Sequence, residues 1–127
     1  VTGIGTQDHA YAVVVQSNGK LLVAGASNNG STFDFAVAKY MPNGILDNTF
    51  GVAGVRTHSV GAGHDQILSA ALQPDGKLVV GGSAFSAQDF HEFVIARYNA
   101  ECSPAQAPSA ISGPVSGCTG SKIYSVS

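Results

Sequence analysis

The sequence predicts an all-β fold in which a four-stranded antiparallel sheet occurs twice, the second copy being incomplete. The main observation is an internal repeat, because residues 16–25 recur as residues 73–82 at a displacement of 57 positions. Each copy has a tight turn followed by an apolar run, which is typical of a β-hairpin. No segment combines helical spacing of apolar residues with helix caps over a useful length. The chain is therefore expected to consist of strands and turns.

The repeat extends beyond this turn and sets the expected boundaries. Residues 34–40 match residues 92–98 at a displacement of 58, and the one-residue slip lies in segments 27–33 and 84–91. Both segments are small and polar and are expected to be loops, where a change of length is tolerated. After Tyr98 the match ends. We therefore divide the chain into a first blade-like repeat at 1–60 (with the end of a preceding strand), a second, incomplete repeat at 61–100, and an extended Ser/Pro-rich tail at 101–127.

Turn chemistry and apolar runs place the individual strands. Seven strands are expected, at residues 10–16, 20–26, 34–40, 52–60, 66–72, 77–83 and 92–98. The turns at 17–20, 42–44 and 74–76 share an Asn or Asp followed by Gly, which indicates a type I turn with a glycine bulge. Most strands are apolar on both faces, so both faces of each sheet must be covered. Small residues such as Gly25 and Gly82 are expected to let neighbouring sheets approach closely.

Four short strands per repeat of nearly sixty residues, with two buried faces, describe a blade of a β-propeller. A solenoid is the competing architecture, but it favours shorter, more uniform repeats and fewer tight turns. Two blades alone leave two apolar flanks and unpaired edges. We expect these flanks to be covered by other copies of the chain or by missing blades of a longer parent, in a ring or a fibre. The run 121–127 could add to a neighbour's sheet edge.

The composition argues against nucleic-acid binding and against a membrane-spanning segment. Only 11% of the residues are charged and the net charge is −2, so nucleic-acid binding lacks its electrostatic driving force. No run has the apolar length of a membrane span. The low charge, the many Gly, Ser and Asn residues and the absence of Trp indicate an extracellular or cell-surface bacterial protein.

Both cysteines, Cys102 and Cys118, lie in the tail. A disulfide between them would close a short loop and stabilise the tail by about 3 kcal/mol. Either cysteine could instead pair with a residue outside this chain. Their spacing fits no zinc motif and no His lies nearby in the sequence. Structural bridging is therefore predicted rather than a redox or metal-binding role.

The residues that could carry catalysis recur at equivalent positions of the two repeats. His9 beside Asp8, and His64 beside Asp65, could bind a metal or activate a nucleophile. However, no Ser or Cys recurs next to them, and such Asp residues commonly satisfy backbone groups in turns. A structural role is also expected for the carboxylates that begin the third strand of each repeat, Asp34 and Glu92. We expect no catalytic residue, no bound metal and no cofactor.

The repeated motifs resemble a known family. Gln-Pro-Asp-Gly-Lys-Leu-Val-Val-Gly-Gly at 73–82, Phe-Val-Ile-Ala-Arg-Tyr-Asn at 93–99 and Leu-Asp-Asn-Thr-Phe-Gly at 46–51 resemble the delta-60 repeats, which are bacterial β-propeller-like repeats. The resemblance covers about 8–99 and implies tandem copies in large secreted or surface proteins, without an established catalytic activity. The tail, at 108–126, is similar to the opening of PKD-like or immunoglobulin-like modules.

Three functions remain open at this point. The first is a non-enzymatic extracellular repeat module with a structural, adhesion or filament-forming role. The second is a propeller that binds a carbohydrate (a surface glycan) or a protein on its loop face, and the third is a fragment of a secreted hydrolase whose catalytic residues lie on other blades. For the second function, the candidate ligand-binding residues are Asn28, Asn29, Phe33, Gln88 and His91.

Overall fold

A computed structural model describes residues 1–88 and 90–100 and the backbone of residues 122–126. The described residues form eight β-strands: β1 (Asp8–Val15), β2 (Leu21–Asn28), β3 (Phe33–Tyr40), β4 (Val55–His58), β5 (Gln66–Leu72), β6 (Leu78–Phe85), β7 (His91–Tyr98) and β8 (Lys122–Val126). No helix is present in the part of the chain that the structure describes. The predicted all-β fold class is confirmed.

The strands form two antiparallel meanders, with the orders β1-β2-β3-β4 and β5-β6-β7-β8. We call these sheets blade 1 and blade 2. The two blades have the same register, since Leu22 lies opposite Lys39 in blade 1 and the equivalent Val79 lies opposite Arg97 in blade 2. The second repeat contributes three strands of its own to blade 2. The fourth comes from β8, which pairs with β7 of its own chain.

The three predicted turns have one hydrogen-bonding pattern. The N–H of Gly19 donates to the carbonyl of Gln16, and the N–H of Gly76 donates to that of Gln73, each at 2.9 Å. Both glycines have a positive φ, 83° and 84°, which residues with a side chain rarely adopt. The turn after β3 repeats the pattern with Gly44 as donor. The glycines recur because the turn requires them.

Gly25 and Gly82 have a different role from the one predicted. Each lies opposite a β-bulge, which leaves Tyr11 unpaired in β1 and Leu68 unpaired in β5. A Cβ atom on Gly25 would overlap the carbonyl oxygen of His9, which belongs to the adjacent strand of the same sheet. A Cβ atom on Gly82 would meet the equivalent carbonyl in β5. These glycines therefore accommodate a repeated bulge within each sheet rather than the approach of a neighbouring sheet.

Strand β4 is shorter than the predicted strand at 52–60. Gly51, Ala53 and Gly54 all have positive φ, so the chain turns tightly before the strand begins. Val52 forms only an isolated bridge to Val55 and its side chain is exposed. The apolar run predicted an extended strand, but the local backbone conformation confines it to four residues.

The hydrophobic core joins the two blades. Leu22, Phe35 and Val37 of blade 1 belong to one buried cluster with Leu78 and Val80 of blade 2. The connection between β3 and β4 adds a further aromatic ring, Phe50, whose face lies 5.5 Å from the Arg56 guanidinium. Because each sheet contributes one face to this cluster, the other face of each sheet is left as an outer flank.

Most of the tail predictions lie outside the described residues. This holds for Cys102, Cys118 and the PKD-like or immunoglobulin-like similarity of segment 108–121. The run at 121–127, predicted to add to the sheet edge of a neighbour, contributes β8 to the chain's own blade 2 instead.

Candidate functional site

Two features could carry function, namely the open flanks of the blades and a cleft between them. The first flank is the outer face of blade 2, which we call the front flank. Its members pair directly across β6 and β7 and therefore share one face of the sheet: Val79, Gly81, Ser83, Phe93, Ile95 and Arg97. Phe93 is 79% exposed and Ile95 is 46% exposed. Large apolar side chains side by side on a sheet surface commonly mark an interaction site.

The equivalent positions of blade 1 are all buried at the junction between the blades. They are Leu22, Ala24, Ala26, Phe35, Val37 and Lys39, each 4% exposed or less. Phe35 and Val37 are completely inaccessible to solvent. The amine of Lys39 donates to the carbonyl of Ala100, which lies after the last strand of the second repeat. The observed junction thus shows how a front flank is covered by the next blade.

The surface that covers a front flank is the opposite face of a blade. In blade 2 this face contains Leu78, Val80, Val94, Ala96 and Tyr98, all buried against blade 1. We call the equivalent face of blade 1 the back flank: Leu21, Val23, Gly25, Ala36, Ala38 and Tyr40. The N-terminal segment lies over part of it, where the Tyr40 hydroxyl donates to Thr2 Oγ1 at 2.7 Å. Next to this segment an open groove of about 690 Å³ extends to Val55 and Thr57.

The inter-blade cleft is a separate feature and lies between the two sheets, at the end where β1 and β5 begin. Its volume is about 140 Å³. Both repeats contribute aromatic or amide side chains to its lining, namely His9, Tyr11, Phe33, His64, Gln66 and His91. Three of the four histidines of the chain therefore meet at one place.

The rings in this cleft are in contact with one another. The Phe33 ring lies 5.3 Å from His9 and 5.6 Å from His64, measured between ring centroids, and His9 stacks on Tyr11 at 6.0 Å. The backbone N–H of Phe33 donates to His64 Nδ1 at 3.1 Å, and the Phe33 carbonyl accepts from the N–H of Asp65 at 2.6 Å. Since Nδ1 accepts a hydrogen bond, the neutral His64 ring carries its proton on Nε2. The two blades are thus tied together at Phe33.

The carboxylates beside these histidines satisfy backbone groups, as the structural interpretation predicted. Asp65 is fully buried, and its oxygens accept from the N–H groups of Val60, Gly61 and Phe85 at 2.7, 2.9 and 3.4 Å. The equivalent Asp8 accepts from the N–H groups at positions 4 and 5. Burial acts to raise the pKa of Asp8, but these bonds and one from the Ser27 hydroxyl lower it overall.

The structure brings together two of the five candidate ligand-binding residues. Phe33 and His91 line the inter-blade cleft. Asn28 and Asn29 hold the β2–β3 loop, because Asn28 Oδ1 accepts from the N–H of Gly30 and Asn29 Oδ1 accepts from two loop N–H groups. Gln88 is exposed in the β6–β7 loop and is not among the lining residues.

Sequence reasoning did not group His9, Tyr11, His64 and Gln66 with the cleft. In an antiparallel meander, the start of the first strand lies at the same edge as the loop between the second and third strands. That rule, applied to both repeats, would have placed His9 and Gln66 beside the two loops. The carboxylates at the start of the third strands do not belong to the cleft lining, and Asp34 Oδ2 accepts from Asn29 Nδ2 at 2.9 Å.

Within the described ranges, no group of His, Cys, Asp or Glu side chains is arranged to hold a metal ion. The same ranges contain no helix long and apolar enough to cross a membrane.

The fold itself defines the class of protein. Two consecutive four-stranded meanders, packed face to face and repeated at 57–58 residues, are blades of a β-propeller.

The comparison with protein families agrees with this class. The model of the DUF5122 β-propeller, a domain of unknown function, matches residues 16–50 and 73–103, which together make up just over half of the chain. The chain therefore belongs to the DUF5122 β-propeller family. No curated protein sequence matches it.

Proposed function

We propose that this chain is a non-enzymatic structural module of an extracellular, bacterial surface protein of the delta-60 repeat type, and that it assembles head to tail with further blades. One observation carries the proposal. Six positions are buried in blade 1 by the next blade, whereas of their equivalents on the front flank of blade 2 Phe93 and Ile95 are exposed and the other four are partly exposed. In blade 1 this face packs against the next blade. Because the two repeats are alike, the same face of blade 2 is expected to bind the same kind of partner.

The partner in this proposal is the back flank of another blade, either in a second copy of the chain or in a longer parent. The front flank presents Phe93 and Ile95, whereas the back flank is flat, because its β3 residues Ala36 and Ala38 are small and only 4% exposed and the neighbouring Val23 of β2 is partly buried. Arg97 occupies the position of Lys39, so it would donate to a backbone carbonyl of the next blade as Lys39 does to Ala100. Such a contact is heterologous, and repetition gives a closed ring or an open fibre.

Three properties of the sequence support the extracellular and adhesive part of the proposal. Charged residues make up only 11% of the chain, the repeats resemble those of secreted surface proteins, and the tail is similar to PKD-like modules. An antibody against the purified chain tests the location. It is expected to label intact cells of the source organism, and labelling only after cell lysis would contradict an extracellular role.

Assembly is tested with two variants, each of which is designed to prevent one flank from binding. Phe93→Glu places a charge on the front flank, and Val23→Glu places one on the back flank. The wild-type chain is expected to form large species in analytical ultracentrifugation, and each variant alone is expected to be monomeric. A mixture of the two variants is expected to form a dimer, because one intact front flank and one intact back flank remain.

The controls separate this outcome from misfolding and from another symmetry. Phe90→Glu changes an exposed aromatic residue outside both flanks and is expected to assemble like the wild type. Each variant must retain the β-sheet circular dichroism spectrum of the parent. If Phe93→Glu abolished assembly and Val23→Glu did not, the contact would be symmetric between front flanks. A wild-type chain that is a compact, cooperatively unfolding monomer would refute the proposal.

A further inference from the structure

We propose that the inter-blade cleft is a binding site for a single pyranose ring of a neutral glycan. This goes beyond the structural role and does not depend on assembly, because blade 1 and blade 2 of one chain supply both walls. The proposal follows from the size of the cleft, its charge and the chemistry of its lining.

The size of the cleft limits the ligand to one ring. A cavity of about 150 Å³ accommodates a six-membered ring such as benzene. The inter-blade cleft, at about 140 Å³, can hold one ring of that size, and its open side lets the hydroxyl groups of a pyranose, which is larger than benzene, project towards solvent. A longer glycan would therefore place one sugar in the cleft and extend its remaining units over the exposed loops.

The cleft offers no free charged group to pair with an ionic ligand. The described residues that line it include no Lys and no Arg. Their only carboxylate belongs to Asp65, and both of its oxygens already accept backbone N–H groups. The histidines do not form a group able to hold a metal. These observations favour a ligand without formal charge.

The lining combines ring faces with groups that both donate and accept hydrogen bonds. Tyr11 and Phe33 supply aromatic surface. A neutral histidine ring carries one donor and one acceptor, and the Gln66 amide carries an NH2 group that donates and an oxygen that accepts. At His64 the acceptor is occupied by the Phe33 N–H, which leaves an N–H donor. A sugar ring has a matching surface, since its C–H face stacks on an aromatic ring and its hydroxyls both donate and accept. A purely aromatic ligand would leave the polar groups unpaired.

Binding is tested with methyl pyranosides of glucose, galactose, mannose and N-acetylglucosamine on the whole chain. Saturation-transfer NMR identifies the sugar that binds, and calorimetric titration gives its affinity, expected on the order of 1 mM for a ligand of this size. Phe33→Leu keeps the apolar volume but removes the ring, and is expected to weaken binding about three- to tenfold. Gln66→Met removes an amide and is expected to weaken binding as well.

The matched control is Phe90→Leu, which makes the same exchange at an exposed aromatic outside the cleft. It is expected to bind the sugar like the parent, and all three variants must unfold at the temperature of the parent. The proposal is overturned if no pyranoside saturates the protein. It is also overturned if Phe33→Leu and Phe90→Leu bind alike, or if phenol or indole displaces the best sugar at lower concentration.

Discussion

The two blades place the same side chains in different surroundings. Phe35 is inaccessible to solvent and its equivalent Phe93 is 79% exposed, although the neighbouring residues in the two strands are alike. Lys20 forms an ion pair with a buried carboxylate, whereas its equivalent Lys77 contacts an exposed one. The strands and turns of each sheet therefore follow from the repeated residues, whereas the contribution of each side chain to stability depends on what packs against the sheet.

Blade 1 owes part of its additional contacts to the connection between β3 and β4, whose sequence is not repeated after Tyr98. This connection supplies Phe50 to the core and Asp47 to Lys20. Blade 2 gains its fourth strand from β8 instead. Equivalent substitutions in the two blades are therefore expected to have unequal effects, and each pair of substitutions tests the comparison.

The largest difference is expected for the phenylalanine pair. Phe35→Ala removes a fully buried ring and is expected to lower the free energy of unfolding by about 3–5 kcal/mol. Phe93→Ala removes an exposed ring and is expected to change it by less than about 0.5 kcal/mol, while weakening assembly. Urea unfolding, at a protein concentration too low for assembly, measures both. An equal loss in the two variants would mean that a segment of the same chain covers Phe93.

The lysine pair is expected to differ in its dependence on pH. Burial would raise the pKa of Asp47, but its hydrogen bonds with Lys20, at 2.8 Å, and with Thr49 outweigh this effect and lower the pKa to about 2 from the ordinary 3.8. Since the folded pKa is depressed, the carboxylate stabilises the fold above about pH 4. This contribution, about 2 kcal/mol, is lost as the pH falls towards 2.

Two substitutions check this dependence. Lys20→Met is expected to destabilise the protein by up to about 2 kcal/mol at pH 7, since the bonds from Thr49 to Asp47 remain, and the loss relative to the parent is expected to shrink between pH 4 and pH 2. Lys77→Met breaks a contact of 3.7 Å between exposed groups and is expected to cost less than about 0.5 kcal/mol at either pH. Denaturant unfolding at pH 7 and pH 2.5 gives the four values. A Lys20→Met loss that is independent of pH would contradict the assigned role of Asp47.

The sequence predicted those parts of the fold that depend on local chemistry. The turns at Gly19, Gly44 and Gly76 and the start and end of β5 follow from turn residues and apolar runs, which act over a few neighbouring positions. The repeat also predicted two blades with open flanks. Strand β4 was predicted too long, because three consecutive apolar or small residues do not reveal the positive φ of Ala53.

The inter-blade cleft could not be predicted in the same way. Its walls come from two sheets, and the distance between Phe33 and His64 depends on how those sheets pack. The role of Gly25 also depends on a neighbouring strand, because only the register of β1 against β2 places the bulge beside it. A small residue at this position predicts a close contact, but the sequence does not tell whether the contact is with a neighbouring sheet or with a neighbouring strand of the same sheet.

The smallest expected difference concerns the tyrosines at the ends of the third strands, Tyr40 and Tyr98. The Tyr40 hydroxyl donates to Thr2, so Tyr40→Phe is expected to cost about 1 kcal/mol. The Tyr98 hydroxyl is buried and has no hydrogen-bond partner among the described residues, and burial raises its pKa while the nearby charge of Arg56 lowers it in part. Tyr98→Phe is therefore expected to leave stability unchanged or to increase it by up to about 1 kcal/mol.

A double-mutant cycle tests whether the Tyr40 hydroxyl stabilises the fold through its bond to Thr2. If the hydroxyl of Tyr40 acts through Thr2, Tyr40→Phe is expected to cost almost nothing in a Thr2→Val background, because the partner is already absent. Tyr98→Phe is expected to have the same effect in both backgrounds, since its hydroxyl does not share that bond. A loss of 1 kcal/mol or more in Tyr98→Phe would show that water or another group satisfies the hydroxyl. In that case the third strands of the two blades would end in equivalent polar contacts, and the contrast between the blades would be confined to their flanks and to the β3–β4 connection.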